Sequence, residues 1–190
     1  MNIAVFVSGN GTNCENIIRH FATCGSKSHV ALVLSNRPDA YALKRAEALG
    51  VPTVVVPKAD FNDEAKLMAV LNAHSIDFIV LAGFLLMVPG FLINRYKHRM
   101  VNIHPALLPK YGGRGMYGHH VHEAVCANHE SETGITIHYV SEVCDGGEII
   151  FQAKTALSPD DTPDDIASKV HRLEMEHFPK VIARVVDGMS

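Results

Sequence analysis

The fold is decided by residues 2–13, which read NIAVFVSGNGTN. Asn2–Val7 is a nearly continuous apolar run that predicts a strand, and such a run is typical of a strand buried on both faces of a parallel sheet. Ser8 to Asn13 is a glycine-rich turn, and the helical pattern of Cys14–Phe21 follows it directly. A strand, a tight turn and a helix in this order indicate the first unit of an α/β fold.

The same alternation continues along the first half of the chain. Short apolar runs rich in β-branched residues predict three more strands, at His29–Leu34, Pro52–Val56 and Asp77–Ala82. Apolar residues recur at helical spacing between them, at Ala40–Leu49 and Asp63–His74. We therefore expect residues 1–100 to form a βαβαβαβ half in which the strands are parallel.

The second half begins with an unusually long irregular segment. A strand at Arg99–Ile103 is followed by the proline- and glycine-rich stretch His104–Gly118, and a short helix is predicted only near Val121–Ala127. Loops of this length in a compact domain are usually functional. We therefore expect the functional site to use the segment His104–Gly118.

The remainder of the chain predicts two strands and a long helix. Gly134–Val140 and Glu148–Ala153 alternate like a pair of antiparallel strands. Pro163 begins a C-terminal helix, and Pro179 inside it predicts a bend or a break. The predicted fold is a Rossmann-like open α/β sheet, mostly parallel, with residues 1–190 in a single domain.

Composition and charge exclude several classes of protein. The 190 residues carry a net charge of −3, so bulk charge does not favour nucleic acid or an anionic membrane as a partner. The longest apolar run, Val80–Ile93, is shorter than a membrane span and is interrupted by Gly83, Pro89 and Gly90. No basic-then-apolar signal sequence opens the chain. We expect a soluble cytoplasmic protein.

Cysteine and histidine spacing does not predict a metal site. None of the four cysteines belongs to a C-x-x-C pair, and we expect them to be reduced and mostly buried: Cys14, Cys24, Cys126 and Cys144. Only three of the 12 histidines cluster: His119, His120 and His122. Because the cluster lacks an H-E-x-x-H pattern, we assign these histidines no role and predict no metal.

The glycine-rich turn is the first candidate binding element, since N–H groups at a helix N-terminus hold anions such as phosphate. Gly11 allows close backbone approach, while Thr12 and Asn13 add side-chain donors and an N-cap. A dinucleotide site would need glycine in place of Cys14 and an acidic residue near Ser35–Arg37, and the G-K-S/T of an ATP loop is absent. The turn indicates either a site for a small phosphorylated ligand or an ordinary capped helix start.

Asn102 and His104 are the first candidates for chemistry. They alternate along one strand, so both side chains project from the same side, and Pro105 keeps His104 extended. An asparagine amide can stabilise an oxyanion, and a histidine can move a proton near neutral pH. Asp145 could orient His104, although its residue type alone favours an ordinary Asp-Gly turn. No nucleophile motif is present, which favours direct transfer between two bound substrates.

Four motifs together resemble the phosphoribosylglycinamide formyltransferases, a folate-dependent family of purine biosynthesis. The motifs are SGNGTN at 8–13, LAGF at 81–84, NIHPALLP at 102–109 and DGG at 145–147. The resemblance spans nearly the whole chain and implies formyl transfer from 10-formyltetrahydrofolate to the amine of glycinamide ribonucleotide. Residues 1–100 are then expected to form the phosphoribosyl-binding half, and residues 101–190 the catalytic half with the C-terminal helix.

The resemblance also implies roles for individual residues. Asn102 is expected to contact the formyl group and His104 to be the catalytic acid, with Asp145 raising its pKa and assisting proton transfer. The residues implied for the acceptor are Gly11, Thr12 and Asn13 at its phosphate, together with Glu174. The residues implied for the folate donor are Leu85, Leu86, Met87, Val88, Asn102 and Cys144.

Departures from the family pattern concern the folate tail. Leu86 stands where some members carry arginine, and Asp63 and Glu64 follow Phe61 where members carry a basic residue. The affinity for the glutamate tail is therefore left open, as is a homodimer. The alternatives are another 10-formyltetrahydrofolate-dependent formyltransferase or hydrolase, or a non-enzymatic regulator that binds a phosphorylated ligand.

Overall fold

A single seven-stranded sheet runs through both halves of the chain in the computed structural model, which describes residues 1–189. The strands are β1 (Asn2–Val7), β2 (His29–Ser35), β3 (Thr53–Val55), β4 (Phe78–Leu81), β5 (Met100–His104), β6 (Glu132–Tyr139) and β7 (Ile149–Ala156). Their order is β3-β2-β1-β4-β5-β6-β7, with β1 to β5 parallel and β6 and β7 antiparallel to their neighbours. The predicted open, mostly parallel α/β sheet is confirmed.

Helices cover both faces of this sheet. They are α1 (Thr12–Thr23), α2 (Tyr41–Ala48), α3 (Lys58–Phe61), α4 (Glu64–Ala73), α5 (Gly90–Arg95), α6 (His119–Ala127) and α7 (Pro163–Asp187). Along β1, Ile3, Val5 and Val7 enter a core with α1, α2, α6 and α7, whereas Ala4 and Phe6 enter a second core with α4. The continuous apolar run of β1 is explained by its burial on both faces.

The C-terminal helix α7 continues through Pro179 without the predicted break. A proline cannot donate to the carbonyl four residues earlier, which here belongs to Met175. The side-chain amide of Asn16, on α1, donates to this carbonyl at 2.8 Å and satisfies it. Thr162 and Asp165 form a capping box at the start of the helix, with Pro163 in its first turn.

Two further details differ from the sequence-based expectations. The short helices α3 and α5 were not predicted, because four and six residues are too few to establish a helical period. The cysteines are not mostly buried: Cys14 is buried, Cys24 is exposed, and the other two are intermediate. Cys24 is exposed because it follows the last turn of α1. No helix within residues 1–189 is long and apolar enough to cross a membrane.

Candidate active site

A cavity of about 860 Å³ opens beyond the carboxyl ends of β4 and β5. The sheet order changes direction between β1 and β4, and ligands of open α/β sheets bind beside such a switch point. Residues 113–118, which belong to the long loop predicted to be functional, form part of its wall. Asn102 and His104 lie at the end of β5 and line the same cavity, as their alternation predicts.

The carboxylate of Asp145 lies between two buried histidines. Its Oδ2 is 3.5 Å from Nδ1 of His104, and its Oδ1 is 3.6 Å from Nε2 of His138. The N–H of Gly113, in the long loop, donates to Oδ2 at 2.9 Å. The side chains of His104 and Asp145 are only 4% and 10% exposed, so the structure brings together the pair that sequence reasoning proposed.

The turn that carries Asp145 has a structural reason for its Asp-Gly-Gly sequence. Asp145 has φ 53°, a left-handed conformation that non-glycine residues adopt rarely and aspartate more readily than most. A Cβ on Gly147 would lie 1.7 Å from the carbonyl oxygen of Tyr139, so only glycine fits there. Residues 145–147 therefore form a tight turn, and the same turn holds the carboxylate of Asp145 beside His104.

His104 faces hydrogen-bond acceptors on both sides of its ring. Nε2 lies 2.6 Å from the carbonyl oxygen of Tyr111, which can only accept, so Nε2 carries a proton. The carboxylate of Asp145 faces Nδ1, so only the imidazolium form can donate in both directions. Burial nevertheless lowers the pKa of His104 more than Asp145 and the Tyr111 carbonyl raise it. The charge of Asp145 raises this pKa, as expected, but the net pKa of His104 is lowered because desolvation outweighs that charge.

The carboxyl of Asp145 has a pKa below its ordinary value. Its own burial acts to raise this pKa, but interactions with His138, the N–H of Gly113 and the charge of His104 outweigh that effect. Asp145 is therefore ionised near neutral pH and favours the protonated form of the ring beside it.

The amide of Asn102 is oriented by His138, which sequence reasoning missed. Nδ1 of His138 donates to the carbonyl of Tyr139 at 2.9 Å, so in the neutral form of the ring Nε2 is an acceptor for Nδ2 of Asn102 at 3.2 Å. The two residues are cross-strand partners in β5 and β6. The sequence places His138 on the polar side of the β6 alternation. Only the strand register shows that His138 faces Asn102.

One wall of the cavity is an apolar surface open to solvent. It includes five of the residues implied for the folate donor: Leu85, Leu86, Met87, Val88 and Cys144. Leu85 and Met87 are 54% and 53% exposed, and such exposure of large apolar side chains in a concave site is typical of a ligand surface.

Two of the departures from the family pattern have local explanations. Leu86 packs against the second core, and the carboxylate of Asp63 caps α4 by accepting from the N–H of Lys66. Arg114, in the long loop, is the single lysine or arginine among the described residues that line the cavity.

The glycine-rich turn presents free N–H groups at the start of α1. Gly11 is the N-cap residue, with φ 80° and no side-chain hydrogen bond, so the predicted capping by Thr12 or Asn13 is wrong. Asn13 instead donates through Nδ2 to Oε2 of Glu174 at 2.9 Å, and both residues line the cavity. Gly11 and Thr12 do not line the cavity, and a Cβ on Gly11 would lie 2.3 Å from Cβ of Ala42.

Metal ligands are not grouped in the described part of the chain. Within residues 1–189, no three His, Cys, Asp or Glu side chains are placed to hold one ion. The site chemistry described above consists of an amide donor, a histidine with flanking acceptors, an ionised carboxylate and an apolar wall. This set suits acyl transfer between two bound molecules.

Comparison with known families identifies the chain at the family level. The sequence profile described as formyl transferase matches residues 1–182. The chain belongs to the formyl transferase family. As in the sequence-based resemblance, the match includes both the glycine-rich turn and the Asn102–His104 strand.

Curated relatives of this formyl transferase are named phosphoribosylglycinamide formyltransferase. The Escherichia coli K12 protein is 36% identical over 192 residues, covering 99% of this chain and 88% of that one. The chloroplastic protein of Arabidopsis thaliana is 35% identical over 97% of this chain. The match covers 65% of the Arabidopsis protein, so the chain spans less than two thirds of that relative. The chain also spans 14% of the trifunctional purine biosynthetic protein adenosine-3 of Drosophila melanogaster, at 36% identity.

Solved structures are similar over the same extent. The phosphoribosylglycinamide formyltransferase of Streptococcus pneumoniae superposes with a TM-score of 0.86 at 35% identity, covering 97% of this chain and 98% of that one. The glycinamide ribonucleotide transformylase 1 of Symbiobacterium toebii gives a TM-score of 0.90 at 30% identity, covering 99% and 88%. The formyl transferase fold therefore extends over nearly all of the chain.

Proposed function

We propose that this formyl transferase moves a formyl group from 10-formyltetrahydrofolate to the amine of glycinamide ribonucleotide, a step of de novo purine biosynthesis. The observation that carries the proposal is the grouping of Asn102, the buried His104 and Asp145 at one cavity. The names of relatives with 35% and 36% identity support the choice of acceptor.

The donor is proposed to bind at the apolar wall formed by Leu85, Leu86, Met87, Val88 and Cys144. The benzoyl ring of a folate is flat and apolar, which suits the exposed side chains of this wall. Asn102 lies next to this wall in the same cavity and is proposed to contact the formyl group there.

The acceptor is proposed to bind at the opposite end, where α1 begins. The N–H groups of the first turn have no side-chain cap and suit the phosphate, with Gly11, Thr12 and Asn13 around it. Asn13 is hydrogen-bonded to Glu174, whose carboxylate is proposed to accept from a ribose hydroxyl of the ribonucleotide. This arrangement directs the acceptor amine toward Asn102.

The transfer is proposed to proceed through a tetrahedral intermediate. The amine nitrogen bonds to the formyl carbon, and the carbonyl oxygen becomes an oxyanion that accepts a hydrogen bond from Asn102 Nδ2. The amine loses one proton, through water, to Asp145. The bond between the formyl carbon and N10 of the folate then breaks, and N10 receives a proton from Nδ1 of His104, because Nε2 is bonded to the carbonyl of Tyr111. Asp145 then returns the proton taken from the amine to Nδ1, which restores both groups.

The lowered pKa of His104 suits this role, since a buried imidazolium gives up its proton readily. Asp145 prevents the pKa from falling further and holds the ring in place. His138 fixes the amide of Asn102, so that a donor is aimed at the oxyanion before the reaction begins.

A single-turnover assay tests this proposal. The enzyme is mixed with 10-formyltetrahydrofolate and glycinamide ribonucleotide, and tetrahydrofolate and the N-formyl product are measured together. We expect both to appear in equal amounts and neither without the acceptor. Tetrahydrofolate release without an acceptor would indicate a hydrolase, and transfer only to another amine would identify a different formyltransferase. Binding of ribonucleotide with no consumption of the donor would indicate a regulator.

A further inference from the structure

Two buried polar atoms of the described residues lack any hydrogen-bond partner, and both belong to residues that line the cavity. They are Oδ1 of Asn13 and Nδ1 of His122. A buried polar atom without a partner typically costs about 1–3 kcal/mol, so native proteins leave very few. Their occurrence in one cavity indicates a place where a ligand completes the hydrogen bonding.

His122 is the stronger of these two observations. Its side chain is 7% exposed, and neither ring nitrogen is hydrogen-bonded to the described part of the chain. Because no hydrogen bond fixes the ring, rotation about χ2 can present either nitrogen to the cavity. His119 and His120 on the same helix differ, since each lies beside the carboxylate of Glu123 and neither lines the cavity.

The position of His122 follows from the packing of three helices on one face of the sheet. Helix α7 contacts α1 on one side and α6 on the other. Asn13 of α1 is bonded to Glu174 of α7, and His122 is on α6. The ring of His122 is also within electrostatic reach of both Glu174 and His104.

The order of these groups matches the order of groups along the acceptor. The start of α1 is the proposed phosphate site, Glu174 is the proposed ribose contact, and His104 belongs to the reaction centre. In glycinamide ribonucleotide, a carboxamide joins the ribose to the aminomethyl group that reacts. His122, which lines the same cavity and is influenced by the charges of both Glu174 and His104, is the group on this wall that suits the carboxamide.

We propose that His122 is a substrate-binding residue that donates a hydrogen bond to the carboxamide oxygen of the acceptor. This inference rests on the proposed function, because it takes the acceptor to be a ribosyl glycinamide. Burial lowers the pKa of His122 and keeps the ring neutral, with one N–H to donate. A neutral donor suits an uncharged amide better than a cation would, because it brings no unpaired charge into the cavity.

Calorimetric binding of two probes tests the assignment. Glycinamide ribonucleotide contains the carboxamide, and ribose 5-phosphate has the sugar and phosphate without it. We expect His122→Leu to weaken the ribonucleotide about tenfold, the loss of one hydrogen bond, and to leave ribose 5-phosphate unchanged. His122→Gln, which keeps an N–H donor, is expected to retain more of the affinity.

The matched control is His120→Leu, an exposed histidine two residues away on α6, for which no change in either affinity is expected. Thermal unfolding gives a second readout. If His122 is kept for binding, the midpoint of His122→Leu is unchanged or higher, because an unpartnered buried polar group has been removed. A purely structural histidine would instead lower the midpoint.

The outcomes separate this inference from the function on which it rests. Equal weakening of both probes, or of neither, overturns the contact with the carboxamide. If the wild type transfers the formyl group and His122→Leu binds the ribonucleotide normally, the function stands and the inference fails. If the wild type shows the expected difference between the probes but makes no formyl product, the contact stands and the proposed function fails.

Discussion

The two ends of the cavity differ in how their buried polar groups are paired. At the reaction centre, His104, His138 and Asp145 have protein partners, and Asn102 is held by a cross-strand histidine. At the acceptor end, Nδ1 of His122 and Oδ1 of Asn13 in α1 have no hydrogen-bond partner. The first end is organised by the protein, and the second keeps unpaired polar atoms that we propose a ligand completes.

This difference follows from what each end must do. Catalytic donors stabilise a transition state best when they are oriented before the reaction, because no energy is then spent on reorganisation. A binding group gains most when its hydrogen bond forms only with the ligand. Substitutions at the reaction centre should therefore affect turnover, and substitutions at the acceptor end should affect binding.

The largest expected effect is at His104 and Asp145. His104→Ala and Asp145→Asn should each lower turnover by about 10²- to 10⁴-fold, the usual contribution of general acid–base catalysis, with little change in ribonucleotide affinity. The double variant should be little worse than either single variant, because the two groups act together. Turnover is measured across pH, with the exposed Asp164→Asn as the control. Additive losses would mean that the residues act independently.

Asn102→Ala tests the oxyanion contact. Loss of one such donor costs about 3–4 kcal/mol at comparable sites, so turnover should fall by about 10²- to 10³-fold. The binding of both substrates should stay close to that of the wild type. The control is Asn128→Ala, an exposed asparagine that follows α6. A fall of less than about tenfold in a folded variant, equal to about 1.4 kcal/mol, would exclude oxyanion stabilisation by Asn102.

Gly11→Ala should affect the acceptor end and leave the donor wall intact. The added Cβ would lie 2.3 Å and 2.6 Å from two atoms of Ala42, and the φ of 80° disfavours a side chain. We expect a loss of about 1–3 kcal/mol in the free energy of unfolding and weaker ribonucleotide binding. Gly25→Ala is the matched control, since Gly25 has φ 75° with nothing within 4 Å. Equal weakening of folate and ribonucleotide would remove this turn from the acceptor site.

The smallest expected effect is on the pH dependence of stability. Burial lowers the pKa of His104 and of His122. The folded state therefore binds protons less readily than the unfolded chain, in which a histidine has a pKa of about 6.5. The two neutral histidines therefore leave the folded state fully stable above the pKa of the unfolded chain. As the pH falls below that pKa, the unfolded chain takes up protons first, and the free energy of unfolding decreases. His171, whose pKa is raised by its hydrogen bond to Glu174, acts in the opposite direction.

The contribution of His122 is isolated by comparing the wild type with His122→Leu, because both retain the other histidines. Between pH 8 and pH 5, the free energy of unfolding should fall less in the variant, by up to about 1.4 kcal/mol per pH unit for one group. Urea unfolding at several pH values measures this difference. If the free energy of unfolding changes with pH equally in the two proteins, burial does not lower the pKa of His122.

Local pattern predicted most of the secondary structure and part of the site. The strand β1 was predicted with its observed bounds, since an apolar run of five residues next to a glycine turn leaves little choice. Alternation along β5 predicted that Asn102 and His104 project from one side, and both residues line the cavity, as Ile103 between them also does. The break at Pro179 was wrong because its compensation comes from Asn16, on another helix.

The sequence by itself determined the α/β fold, the turn at the start of α1 and the polar pair on β5, because side-chain periods of two and 3.6 are local properties of the backbone. Tertiary structure alone decided that His138 faces Asn102, that Asp145 reaches His104, and that burial outweighs charge in the pKa of His104. These contacts depend on strand register, on loop closure and on the exclusion of water. Each of these is fixed by distant parts of the chain, and none leaves a periodic trace in the sequence.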